Sequence, residues 1–207
     1  MIRVGVLVSG SGSNLQAILD ATARGVLDAR IEVVISNVAS ARALERAKAA
    51  NVPTLAIDHK TFAKREEFDA ALVKELRARG VEWVVLAGFM RVVTPVLLDA
   101  YPRRVINIHP SLLPAFPGVR SQKQALDYGV RVAGCTVHFV DAGTDTGPII
   151  AQATVPVMDD DTEETLRDRI LEREHAILPE VLQWIAQGRV EVREDGPRPR
   201  VFVRRAG

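Results

Sequence analysis

Val4-Gly5-Val6-Leu7-Val8-Ser9-Gly10-Ser11-Gly12-Ser13-Asn14-Leu15-Gln16-Ala17-Ile18-Leu19 is the stretch whose reading decides the fold. Val4 to Val8 is a continuous apolar run, as expected of a central strand buried on both faces. Leu15, Ile18 and Leu19 then recur at helical spacing. A strand, a small-residue loop and a helix together aim backbone N–H groups at an anion. The glycines let the backbone approach closely. Ser13 or Asn14 can cap the helix or bind the anion through its side chain. The loop departs from the dinucleotide fingerprint. Its third glycine is missing, and the next strand, Ile31 to Ile35, ends in Ser36-Asn37 with no acid for a ribose diol. No Gly-Lys-Ser/Thr follows, so it is not a nucleotide P-loop either. Two readings remain: a site for one phosphate monoester, or a plain strand-to-helix turn with good caps.

Outward from this stretch, strands and helices alternate. Ala41 to Ala50 is an Ala-rich helix stopped before Pro53, and Leu55 to Ile57 is a short strand. Lys64 to Arg79 is an amphipathic helix with Phe68, Leu72, Val73 and Leu76 as its buried stripe, ending at Gly80. Trp83 to Ala87 is a strand, Thr94-Pro95 opens a short helix, and Val105-Ile106 begins another strand. Gln122 to Tyr128 reads as a helix closed by Gly129. Val132 to Val140 and Ile149 to Val157 read as an antiparallel edge pair around a Gly-rich loop. Thr162 to Ile185 is a long helix that Pro179 is expected to kink or divide. Val190 to Arg193 and Arg200 to Val203 flank Asp195-Gly196 as a terminal hairpin. The expected class is α/β and Rossmann-like: a mostly parallel sheet with helices on both faces, an antiparallel edge and a C-terminal hairpin. The expectation is one domain over residues 1–207, with a core to about residue 187 and the hairpin over about 188–207.

Composition narrows the function classes. A hydrophobic fraction of 47% suits a sizeable core, and a net charge of +1 gives no electrostatic argument for nucleic acid or an acidic membrane. The one cysteine, Cys135, excludes an internal disulfide and a Cys-rich zinc site, and suits a reducing compartment. Met1 to Val8 is too short for a signal segment, and no apolar run approaches a bilayer span. The expectation is a soluble cytoplasmic protein acting on small molecules, without nucleic-acid or membrane partners.

Chemistry is expected at Asn107-Ile108-His109-Pro110-Ser111-Leu112-Leu113-Pro114. Pro110 and Pro114 forbid regular structure, so a polar pair sits where a strand ends and a stiff loop begins. In open parallel sheets, ligands bind outside the carboxyl ends of the strands. On an extended chain the two-residue spacing points Asn107 and His109 to one face. An amide donor and a titratable imidazole suit a reaction in which a carbonyl oxygen becomes negative and a proton moves. Asp145, in a Gly-rich loop after a strand, can stabilise a charged imidazole, although aspartate is also common as a turn former. His138 reads as a partnered strand histidine and His59 as a loop residue. No histidine pair has a zinc-ligand spacing, so no metal is expected.

Taken together, four segments resemble the folate-dependent formyltransferases, and among them the phosphoribosylglycinamide formyltransferases. They are Val8 to Ile18, Leu86-Ala87-Gly88-Phe89-Met90-Arg91, Asn107 to Pro114, and Gly134 to Val140 with Asp145-Thr146-Gly147-Pro148. The resemblance runs from Ile2 to about Trp184. It implies formyl transfer from 10-formyltetrahydrofolate, as cosubstrate, to the amine of glycinamide ribonucleotide. It implies Asn107, His109 and Asp145 as catalytic residues. Gly12, Ser13 and Asn14 match the phosphate turn; Pro110 falls in the same substrate site, and Glu174 matches the ribose-contacting position. Arg65, Met90, Arg91, Val92, Val93, Asn107, Asp141, Ala142, Gly143, Thr144 and Asp145 match the folate positions. It also implies a cis peptide before Pro114.

Two departures stand out. Arg120 replaces a usual histidine beside an unusual Ser121, and Ala142 replaces a common acid. The residues suggest direct attack of the amine on the formyl carbon, without a covalent enzyme intermediate. Rival expectations are a formyltetrahydrofolate hydrolase, which would need a regulatory domain ahead of the core, and a methionyl-tRNA formyltransferase, which would need a C-terminal RNA-binding domain. A non-catalytic phosphate-ligand module would explain Gly12 to Asn14 but leave Asn107, His109 and Asp145 without a joint purpose.

Overall fold

The computed structural model describes residues 1–205. They divide into two compact units, one over Met1–Asn107 and one from Ile108 onward. The first contains β1 (Ile2–Val8), α1 (Ser13–Ala23), β2 (Ala29–Ser36), α2 (Arg42–Ala49), β3 (Thr54–Ala56), α3 (Arg65–Ala78), β4 (Trp83–Leu86), α4 (Pro95–Ala100) and most of β5 (Val105–His109). Its strands are ordered β3-β2-β1-β4-β5 and are all parallel. The apolar run at the start of the chain explains the position of β1: Val4, Val6, Leu7 and Val8 are all fully buried. A side chain of that size stabilises the fold by roughly 1.5–3 kcal/mol when fully buried.

Strand order fixes the helix layers. Right-handed crossovers run outward from β1 to β3 and in the opposite sense from β4 to β5, so α1 and α2 share one face and α3 and α4 the other. Contacts of α1 with α2 and of α3 with α4 agree. Between β1 and β4 the order reverses, which is where such sheets open a crevice at their carboxyl ends. The loops after Val8 and Leu86 therefore flank that crevice.

The second unit contains the end of β5, α5 (Ser121–Tyr128), β6 (Val132–Phe139), β7 (Ile149–Pro156), α6 (Glu163–Ala186) and the hairpin strands β8 (Val190–Arg193) and β9 (Arg200–Val203). β6 pairs with β7 antiparallel, as expected of the edge, and β8 with β9 likewise. Leu166, Ile170, Leu178 and Leu182 line the buried stripe of α6, which packs on β6 and β7.

Some local expectations change. Pro179 does not divide α6, which runs unbroken for 24 residues. A helix-interior proline costs about 3 kcal/mol, but buried Ile177, Leu178, Val181 and Leu182 on either side of it hold the helix in place. Val73 is only half-buried, and the concealed neighbour in α3 is Asp69. A short 3-10 helix, His59–Thr61, stands where a loop was expected. No helix among the described residues is long and apolar enough to cross a membrane.

Candidate active site

The turn after β1 is shaped by Gly12, not by its serines. Gly12 is the N-cap of α1 at φ 72°, ψ 30°, without a side-chain capping bond, so the expected cap at Ser13 or Asn14 is not formed. A Cβ at Gly12 would lie 2.5 Å from Ala43 Cβ and 2.7 Å from Ala43 Cα. Glycine is required twice over, by conformation and by space. Helix α2 braces this turn: Ala43 N–H donates to Gly10 O at 3.1 Å, and Arg46 Nε donates to Ser11 O at 2.9 Å. The opening N–H groups of any helix lack intrahelical acceptors, so this fixed turn presents donors and a positive dipole end.

The segment after β4 is also pinned. Met90 N–H donates to Ser9 Oγ at 2.8 Å. Thr94 donates twice to Asp69 Oδ2, from its N–H at 2.6 Å and its hydroxyl at 2.8 Å. Burial pushes the Asp69 carboxyl above its ordinary range, against the pull of the Thr94 bonds. Between these pins, Met90 and Val92 are exposed while Val93 is buried. Phe89 stacks on Phe68 beneath. Arg91 is half-buried, and Arg65 opens α3 on the surface.

On β5, Asn107 is half-buried and pairs in register with Leu86, and His109 follows two residues later. The strand includes both residues, so their spacing does set them on one face. The loop beyond β5 is tightly held. Thr136 on β6 accepts from Leu113 N–H at 3.1 Å and donates to Ser111 O at 2.6 Å. Gln152 donates to Leu113 O at 2.9 Å, and Ser121 to Pro110 O at 3.1 Å. Leu113–Pro114 is cis, as the resemblance implied. Arg120 adopts φ 55° at the start of α5 and forms an ion pair with Glu163 of α6 at 2.7 Å.

Asp145 is brought to His109. Its Oδ2 lies 3.4 Å from His109 Nδ1, while His109 Nε2 lies 3.0 Å from the Phe116 carbonyl oxygen. Both neighbours are acceptors, so the ring lies between two oxygens. Gly118 N–H also donates to Asp145 Oδ2, at 2.8 Å. Asp145 Oδ1 lies 3.7 Å from Nε2 of His138. His138 Nδ1 lies 2.9 Å from Phe139 O. Burial pushes the His138 imidazole below its ordinary range, against the pull of that carbonyl and of Asp145. One carboxylate thus serves two imidazoles, and sequence reasoning assigned His138 no part in the site. The loop carrying Asp145 folds tightly on itself: Asp141 accepts from Gly143 N–H at 3.1 Å and from the Thr146 hydroxyl at 2.7 Å. Gly147 allows this, since a Cβ there would lie 1.9 Å from Phe139 O. Ala142, Gly143 and Thr144 form its exposed tip.

Glu174 is buried on α6 and acts electrostatically on Cys135. Burial first, and then Glu174, push the Cys135 thiol up to about 12, so it stays neutral and is no nucleophile. Ser111 donates its hydroxyl to Ala115 O at 2.6 Å. Among the described residues, no group of three or more His, Cys, Asp or Glu could hold a metal ion.

The chain resembles known proteins. A family described as formyl transferase matches residues 2–182. The chain is 43% identical to the phosphoribosylglycinamide formyltransferase of Escherichia coli, over 94% of this chain and 92% of that protein. It is 50% identical to part of the trifunctional purine biosynthetic protein adenosine-3 of Drosophila melanogaster, over 90% of this chain but only 14% of that much longer protein. The crystal structure of glycinamide ribonucleotide transformylase 1 from Symbiobacterium toebii superposes with a TM-score of 0.95 at 55% identity, covering 98% of this chain and 94% of that one. Matched over most of its length by the family model and by the Escherichia coli protein, the chain belongs to the formyl transferase family, among the phosphoribosylglycinamide formyltransferases.

Proposed function

We propose that the chain transfers a formyl group from 10-formyltetrahydrofolate to the amine of glycinamide ribonucleotide, in purine biosynthesis. The observation that carries this reading is the His109–Asp145 pair, with acceptors at both ring nitrogens. A protonated imidazole beside a carboxylate can stabilise an oxyanion. The amine attacks the formyl carbon, and the carbonyl oxygen becomes negative in the tetrahedral intermediate. Asn107 and His109 donate to that oxygen. Asp145 holds His109 charged and oriented, and with a water it carries the amine proton to the leaving nitrogen. The transfer is direct, because Cys135 is held as a neutral thiol and Ser111 spends its proton on Ala115 O.

Gly12, Ser13 and Asn14 take the substrate phosphate, with Pro110 and Glu174 serving the same substrate. Arg65, Met90 to Val93, Asn107 and Asp141 to Asp145 serve the folate. The exposed Met90 and Val92 support this, since they offer apolar surface for a planar heterocycle to cover. Residues 1–207 work as one formyltransferase domain. A single cysteine kept as a buried neutral thiol suits a reducing compartment, and we place the enzyme in the cytoplasm.

The test is steady-state turnover with 10-formyltetrahydrofolate and three acceptors: glycinamide ribonucleotide, charged initiator tRNA and water. Formylation of glycinamide ribonucleotide alone is expected. Formate release at equal rate without the amine would show a hydrolase. Binding of the ribonucleotide without turnover would show a binding module.

A further inference from the structure

The crevice where the strand order reverses is bordered by two loops, one after β1 and one after β4. The proposed function assigns them to different ligands: the first to phosphate, the second to folate. One side-chain hydroxyl links them. Ser9 Oγ accepts the Met90 N–H at 2.8 Å and donates to Asn37 Oδ1 at 2.6 Å. Asn37 Nδ2 in turn lies 3.2 Å from His59 Nδ1. A serine hydroxyl has one proton. Spent on Asn37, it leaves a lone pair for Met90 and fixes the direction of every bond in the chain. The main chain repeats the link, with Ser9 N–H donating to Gly88 O at 3.0 Å.

This relay is well supported. Asn37 is buried at 6% exposure, so it has little freedom to exchange Ser9 for water. Beneath the second loop, His59 and Phe62 both pack edge-to-face with Phe68, which stacks on Phe89. On the other side, Gly10 and Ser11 are fixed by Ala43 and Arg46. Each loop is anchored independently to its own helix, and the Ser9 side chain bridges them. Movement of Met90 is therefore transmitted to the residue that begins the phosphate turn.

We propose that Ser9 is a positioning residue that couples the two substrate sites, so that filling either one tightens the other. The inference rests on the functional reading above. Contact between the two ligands is not required, because the coupling runs through protein bonds whose order both ligands enforce.

Titration calorimetry on the full chain tests it. The affinity for glycinamide ribonucleotide is measured with and without saturating tetrahydrofolate, the unformylated carrier, which forms a dead-end complex. The wild type should bind the ribonucleotide at least about fivefold more tightly in the presence of tetrahydrofolate, the lower end of common coupling factors. Ser9→Ala should bring that factor close to one and raise the folate KM more than it lowers kcat. Ser9→Thr, which keeps a hydroxyl, should retain coupling. Should Ser9→Ala not fold, Asn37→Ala decides, since it removes the acceptor that orients Ser9. Unchanged coupling in the variant that folds, or no coupling in the wild type, overturns the proposal. Failure of the wild type to bind either ligand at all would instead overturn the functional reading.

Discussion

The two units place polar chemistry differently. In residues 1–107, the turn around Gly12 is set by backbone conformation and presents backbone N–H groups, and helix α2 braces it from outside. In the unit that begins at Ile108, the polar cluster is built from side chains: two histidines beside the carboxylate of Asp145. The first region depends on conformation, the second on charge. A backbone site fails when the chain cannot take its shape. A charged site fails when an atom is exchanged, even if the shape survives.

Asp145→Asn attacks the charged region most directly. It preserves size but removes the charge beside His109, and turnover should fall about 10²–10⁴-fold, the range for lost acid–base or oxyanion help. Affinity for both substrates, measured calorimetrically, should change much less. Because the pair acts as a unit, His109→Ala should not add its full penalty in the double variant. If binding fell as steeply as turnover, this region would be a binding site and the contrast would collapse.

Gly12→Val attacks the other region. It meets both the φ of 72° and the nearby Ala43. Ribonucleotide affinity should drop by more than about tenfold, equivalent to 1.4 kcal/mol, while tetrahydrofolate affinity should fall far less. Equal losses would mean that the turn is not a dedicated phosphate cradle.

Thr136→Val sharpens the comparison from the scaffold side. It strips the partner from Leu113 N–H and the donor from Ser111 O. Stability measured by urea unfolding should fall by about 1–3 kcal/mol, the cost of leaving such groups unsatisfied. A change below a few tenths would show that the loop after His109 does not depend on this pin. The smallest effect belongs to Cys135→Ala: turnover should stay within about twofold, because a thiol neutral at working pH does no chemistry. A large loss of kcat with an intact fold would reinstate a covalent route.

How much of this was legible beforehand follows from the range of the interactions. Periodicity in Val4 to Leu19 and in residues 64–79 is local, and it placed the parallel sheet and its helices correctly. The two-residue spacing of Asn107 and His109 was also readable, since a strand has a fixed period. What pins the loops was not readable. Thr136 and Gln152 lie on the edge pair, and that they hold the backbone around Leu113 depends on contacts distant in sequence. His138 looked structural, and a register shift between Val137 and His138 accompanies its place beside Asp145. Asp69 sat unnoticed on an amphipathic helix because only the fold brings Thr94 to it. Ser13 and Asn14 were reasonable caps by composition, but Gly12 took the capping position because only glycine fits against Ala43.

The Phe116 carbonyl on His109 carries a kinetic consequence. At 3.0 Å from Nε2, that oxygen occupies the hydrogen-bonding position a formyl oxygen needs under the proposed chemistry. It is tethered only seven residues away, so the incoming oxygen competes with one of high local concentration. The donor's apparent affinity is then its intrinsic affinity reduced by the fraction of time the carbonyl is away. In stopped-flow mixing, the rate at which donor engages His109 should level off at the rate of carbonyl release. A rate that keeps rising linearly with donor concentration would mean that the chain's own oxygen yields without delay.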